Sequence, residues 1–226
     1  MSQQPEHWEA YISKENFNQL RSNPHLASLL TLARVVNALR FCFRVLIDFS
    51  GDKSPAGQRQ HINALLFSTS VLYGGLQLTD TLTKHFGSRA SFQEGFAPLL
   101  AESRTENLRT KVLKPWRDKT VSHFDRDVAS KTINSFNLDL PSYLFVTASG
   151  HKTGDLYYNL ADEVAINFIL GERTSKEEEN QRFAEILKDT SDVLTRFVSA
   201  ADALIVDVLG EMGWLVRERK LDHEEQ

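Results

Sequence analysis

With 226 residues, 41% of them hydrophobic and 25% charged, the chain is long enough to bury a sizeable core and too apolar to read as disordered. A net charge of −4 gives no sign of a nucleic-acid-binding surface spread over the whole molecule. No run of roughly 18 uncharged apolar residues marks a membrane span, and the first residues lack the basic and apolar regions of a secretory signal. The single cysteine, Cys42, excludes an internal disulfide and fits a reducing, cytoplasmic setting; within an apolar run, it reads as a buried structural thiol.

Residues 1–22 are polar with scattered aromatics (Trp8, Tyr11, Phe17) and read as an arm or short helix. Asn23-Pro24 opens a long helix, with asparagine as cap and proline in the first turn, where its missing N–H costs nothing. Leu26, Leu29, Leu30, Ala33, Val36, Leu39, Phe43 and Leu46 then recur at three- and four-residue steps, which carries the helix to about Phe49. After the break at Gly51-Asp-Lys-Ser-Pro55, a second helix runs from about Gln58 to His85, apolar at Ile62, Leu65, Leu66, Thr69, Leu72, Leu76, Thr79 and Leu82. Gly74-Gly75 inside it permits a kink or a close helix contact. A shorter element covers Ser91 to Ala101.

Ser103-x-x-Glu106 has the form of a capping box. The helix it opens carries Leu108, Val112, Trp116, Val121 and Phe124, with a kink or restart at Pro115. Asp127 is placed to cap a short turn over Val128–Phe136. The one strand signal, Tyr143–Ser149, followed by Gly150-His-Lys-Thr-Gly154 and Asp155–Tyr158, predicts a small β-hairpin. Leu160–Leu170 returns to helix. A second capping box, Ser175-x-x-Glu178, opens the clearest helix of the chain, striped by Phe183, Ile186, Leu187, Thr190, Val193, Leu194, Phe197, Ala201, Leu204, Ile205 and Val208. The expectation is a mainly all-α protein: one helical domain over 23–215 with a hairpin insertion near 143–158, and a charged tail, 216–226, that frays.

One segment carries recognisable chemistry: Lys114-Pro-Trp-Arg-Asp-Lys-Thr-Val-Ser-His-Phe-Asp125. It lies in a basic island, since residues 101–135 hold eight Lys/Arg against five Asp/Glu, while 171–226 hold eight against fourteen. His123 titrates near neutrality and can move protons, and Arg117 offers a permanently charged fork of donors matched to phosphate oxygens. Such a pair suits metal-free cleavage of RNA, in which a ribose 2′-hydroxyl attacks the neighbouring phosphorus. Six residues on an α-helix separate the two by about 9 Å of rise and about 120° of rotation. They do not point at one spot as an adjacent pair would, though one long Arg side chain can still reach a groove that His123 lines. A composite site across a twofold dimer, with two His and two Arg, meets the need better. His123-x-Asp125-x-Asp127 offers too few ligands for a metal, so none is expected, and no other cofactor motif occurs. Trp116 reads as core rather than as a base-stacking platform. A second Arg-x(5)-His pair, Arg217 with His223, falls in the tail.

The arrangement Arg117-Asp-Lys-x-x-x-His123-x-Asp125 resembles the HEPN superfamily, whose ribonuclease members carry Arg-x(4–6)-His, and more narrowly its group linked to abortive phage infection. The resemblance implies an antiparallel helical bundle, a homodimer with the motif helices at its interface, and metal-independent endoribonuclease activity, as in a toxin or antiphage effector held by an antitoxin protein. It makes Arg117 and His123 the catalytic candidates, with Asp118 orienting one of them and Lys119, alongside Lys114, contacting substrate. The partners it implies are RNA and a second copy, with no membrane. The alternative is a non-catalytic HEPN-like module that binds a partner protein or nucleotide. The hairpin and the long C-terminal helix lie outside the minimal superfamily core.

Overall fold

The computed structural model describes residues 8–9, 13–48, 51–52, 54–121, 126–134, 147–148, 156–157, 161, 164, 168, 176–212 and 219–220. These are mostly helical, as composition and period predicted. Helix α1 is Lys14–Ser22, α2 Pro24–Asp48, α3 Pro55–Phe86 and α4 Ala90–Ala101. Helix α5 covers 103–121, α6 is Arg126–Asn134 and α7 is Lys176–Glu211. Two short antiparallel pairings accompany them. Strand β2 (Thr147–Ala148) pairs with β3 (Leu156–Tyr157), inside the segment read as a hairpin, and β1 (Trp8–Glu9) pairs with β4 (Arg219–Lys220). The second pairing ties residues 219–220, in the tail expected to fray, to residues 8–9; the rest of the tail lies outside the described residues. The helix read over Leu160–Leu170 falls almost entirely outside the described residues, as does Ser175 of the second capping box.

Local chemistry explains where the helices begin. The Asn23 carboxamide accepts the His25 N–H at 2.9 Å, as its cap role requires. Helix α3 starts three residues earlier than its apolar pattern, because Ser54 accepts the Gly57 N–H at 3.0 Å and Pro55 occupies the first turn. The first capping box does not form. The cap of α5 is Glu102, which makes no capping bond, because Arg196 takes its carboxylate at 2.8 and 2.6 Å; Glu106 pairs instead with Arg109 at 2.9 Å.

Helices α2 and α3 run antiparallel, with Ser28 beside His85 at one end and Val35 beside Gly75 in the middle. Helix α7 lies along both α2 and α4, joined by the Arg40–Asp202 pair on one side and by Ser91–Asp207 at 2.6 Å on the other. The core at their junction is built from Leu32, Leu39, Leu72, Leu76, Phe96, Phe197 and Leu204, all fully buried. Cys42 is buried in α2, and burial raises its thiol above the ordinary value, in keeping with a structural role. Stretch His25–Asp48 is long and apolar enough, by length and composition, to cross a membrane, with mean hydropathy 1.5. A core helix satisfies the same test, and the stripe Leu26, Leu29, Leu32, Val36, Leu39 and Cys42 is packed inside the fold.

Where α2 begins and α3 ends, the His25 and His85 rings meet edge to face with centroids 4.0 Å apart. Partial desolvation, then His25 and Lys84, hold His85 below its ordinary value, so the unfolded chain takes up that proton more readily than the folded one. The His85 contribution is therefore complete above about pH 6.5 and is lost as pH falls through that value toward the folded pKa. The thermal midpoint is expected to drop between pH 7.5 and 5, and less so in His85→Gln. Equal drops in both proteins would show that the pair does not control the transition. The Glu102 carboxyl, held low chiefly by its hydrogen bond from Arg196, acts in a separate window: its stabilisation is present above the usual carboxylate range and is lost as pH falls below it.

Candidate functional site

Helix α5 is not a plain α-helix. Ser103–Leu108 and Lys114–Trp116 are α-helical, whereas Arg109–Leu113 and Arg117–Val121 are π-helical turns. Proline offers no N–H to bond an earlier carbonyl, and Pro115 lies between these two widened turns, which keep the helix continuous where a kink or restart was expected. Wide turns also change the angular step. The α-helical spacing assumed for Arg117 and His123 therefore does not hold over the start of that interval. His123 and Asp125 lie outside the described residues.

Two anchors fix the helix. Arg104 bonds Asp189 and Asp192 of α7 at 2.5 and 3.3 Å, and Arg196 of α7 grips Glu102 while approaching Asp192 at 3.6 Å. These bonds raise both guanidinium pKa values, each chiefly through its hydrogen-bonded carboxylate. Further along, Trp116 is 1% exposed and packs with Ile186 of α7, Leu66 of α3 and Val112. It is core, as its type suggested.

Arg117 follows directly. Its Cζ lies 5.4 Å from the centroid of the Tyr73 ring, within cation–π range, and Nη1 donates to Asp118 Oδ1 at 3.3 Å. The Arg117 side chain remains 39% exposed. Tyr73 is buried, and its hydroxyl accepts a hydrogen bond from Gln77 Nε2 at 3.2 Å. The structure thus brings Arg117 and Asp118 together with two residues of α3 that the sequence reading passed over. The available signal was slight: Tyr73 sits on the flank of the α3 stripe, next to Leu72, where an aromatic ring faces a neighbouring helix.

Lys114 and Lys119 are exposed on the same helix, as is Lys111. The basic island is smaller than its residue count implied, because Arg104 and Arg109 face carboxylates. No group of three or more His, Cys, Asp or Glu side chains suited to a metal occurs among the described residues. A shallow groove of about 500 Å³ between α4 and α7, lined by residues such as Glu94, Gly95, Arg196 and Asp207, includes none of the motif residues. Chemically, the site offers one well-seated guanidinium at the surface, flanked by lysines, on a helix held firmly to the core.

The chain matches no family model, and comparison with curated proteins and with solved structures finds no match.

Proposed function

We propose that this chain is a metal-independent endoribonuclease of HEPN type, a toxin or antiphage effector acting as a cytoplasmic homodimer and open to control by an antitoxin. The reading takes the helices, with the pairing of 147–148 and 156–157 as part of an inserted hairpin near 143–158, for a HEPN-type bundle. The observation that carries it is Arg117: a half-exposed guanidinium in the motif, seated on Tyr73 within a π-helical turn, where rare helix geometry often marks function.

In the proposed reaction His123 removes the ribose 2′-proton and the 2′-oxygen bonds to phosphorus. The bond to the 5′-oxygen then breaks, and that oxygen takes a proton from a second imidazole, contributed by the other copy. The products are a 2′,3′-cyclic phosphate and a 5′-hydroxyl. Arg117 stabilises the charge gathering on the phosphate oxygens, with Lys114 and Lys119 holding the backbone nearby. Asp118, bonded to Arg117, orients it. RNA is required because the nucleophile is its 2′-hydroxyl.

The second reading, a non-catalytic module for a partner protein or nucleotide, is favoured by the exposed Phe41, Phe43 and Ile47 of α2 and by the acidic overall charge. Purified protein incubated with RNA in EDTA decides between them. Cleavage leaving 2′,3′-cyclic ends is expected, reduced roughly 10²–10⁴-fold in His123→Ala and about 10²–10³-fold in Arg117→Ala, with both variants folded. Intact RNA, or undiminished cleavage by both variants, would leave the binding module standing.

A further inference from the structure

We infer that Tyr73 is a positioning residue for Arg117, aiming its guanidinium at the scissile phosphate; this role rests on the ribonuclease reading of the same site. Arginine has a long, rotamer-rich side chain, and one left free at a surface spends little time in any single geometry. Here two contacts restrict it, one of them to a ring that is itself held in place. The Tyr73 ring lies 5.4 Å from Arg117 Cζ, where its electron-rich face attracts the cation. The ring is only 6% exposed, and Gln77 holds its hydroxyl at 3.2 Å, so it is a fixed platform. Asp118 takes an Nη1 hydrogen at 3.3 Å, a bond that uses one of the five N–H donors of the guanidinium.

The platform comes from a different helix than the motif, and α3 packs along the π-helical stretch that carries Arg117. Its contribution is therefore orientation rather than chemistry. Tyr73 touches no reacting atom; it sets where the charge sits before substrate arrives, as electrostatic preorganisation demands. Loss of such a support lowers the rate of the chemical step more than it weakens binding, because the misaimed group matters most when charge develops.

The test uses the full chain, cleaving total cellular RNA and a labelled mixed-sequence oligonucleotide in EDTA. Tyr73→Leu should lower kcat on the order of 100-fold while KM stays within about threefold. Tyr73→Phe, which keeps the ring face, should remain within about threefold of wild type. Tyr73→Met fills similar space and replaces the leucine variant if that one fails to unfold cooperatively. In an Arg117→Ala background, Tyr73→Leu should cost nothing further, since its only route to the reaction is already gone. A folded Tyr73→Leu that cleaves like wild type, or one that adds its full loss to Arg117→Ala, overturns the positioning role alone. An inactive wild type overturns the ribonuclease reading and this role together.

Discussion

Phe197→Ala is expected to destabilise the protein by about 3–5 kcal/mol, the range for deleting a fully buried aromatic side chain. Phe197 is 0% exposed at the point where α2, α3, α4 and α7 converge. Its ring meets Phe96 edge to face, with centroids 5.4 Å apart, and reaches so close to α3 that only glycine fits opposite. A Cβ added at Gly75 would lie 2.7 Å from Phe197 Cζ and 3.0 Å from Val35 Cγ1. Gly75→Ala should accordingly cost about 1–3 kcal/mol through overpacking, against roughly 1 kcal/mol of helix propensity gained. In a Phe197→Ala background the closer obstruction is gone and only Val35 Cγ1, at 3.0 Å, must yield, so the same alanine should cost clearly less than in the wild type. Urea unfolding of the two single variants and the double variant measures this. Additive costs would show that the ring does not press on Gly75, and a midpoint unchanged by Phe197→Ala would refute the packing at the junction.

That junction also marks how far the sequence alone could be read. The stripe on α7 was legible because its apolar residues are sparse among charges: Ile186, Val193, Leu194, Phe197, Ala201, Leu204 and Val208 are all buried. On α3 the period likewise found Leu65, Leu72, Leu76 and Leu82, and flagged Gly74-Gly75 as a place of close contact. Only Gly75 is close; Gly74 faces open space. Helix α2 is different because it carries a surplus of apolar residues. Leu30 and Phe43 belong to the apolar steps that predicted this helix, yet they are 54% and 40% exposed, while Leu32, outside those steps, is buried; Cys42, expected as a buried thiol, is buried. When apolar residues occupy most of a helix, spacing no longer selects a face.

At the candidate site, residue types gave Arg117 and Asp118 but not their setting. No residue pattern separates a π turn from an α turn, and Pro115 was the sole hint of irregularity. Glu102 displaced Ser103 as cap because a distant Arg196 claims its carboxylate, a tertiary preference that a local motif does not carry. The Arg117–Tyr73 contact joins two helices far apart in the chain, which only packing reveals.

Trp116→Ala should combine the two levels. The side chain is 1% exposed among Leu66, Val112 and Ile186, so its loss is expected to cost about 3–5 kcal/mol. Unlike Phe197, it acts on the site directly: it fixes the short α-helical stretch between the two π turns, one residue before Arg117. Without that anchor the second π turn is held only from a distance, by Leu113 and by the ion pairs at the start of the helix, and Arg117 should lose its seat on Tyr73. Under conditions where the variant is still folded, cleavage is therefore expected to fall as far as in Tyr73→Leu. Trp116→Phe, which keeps a ring in the pocket, should recover much of both stability and activity. Chemical denaturation followed by circular dichroism gives the first quantity and cleavage in EDTA the second. A Trp116→Ala protein that loses stability but cleaves normally would separate the core from the site. The seating of Arg117 would then rest on α3 and Asp118, independent of how the motif helix is anchored to α7.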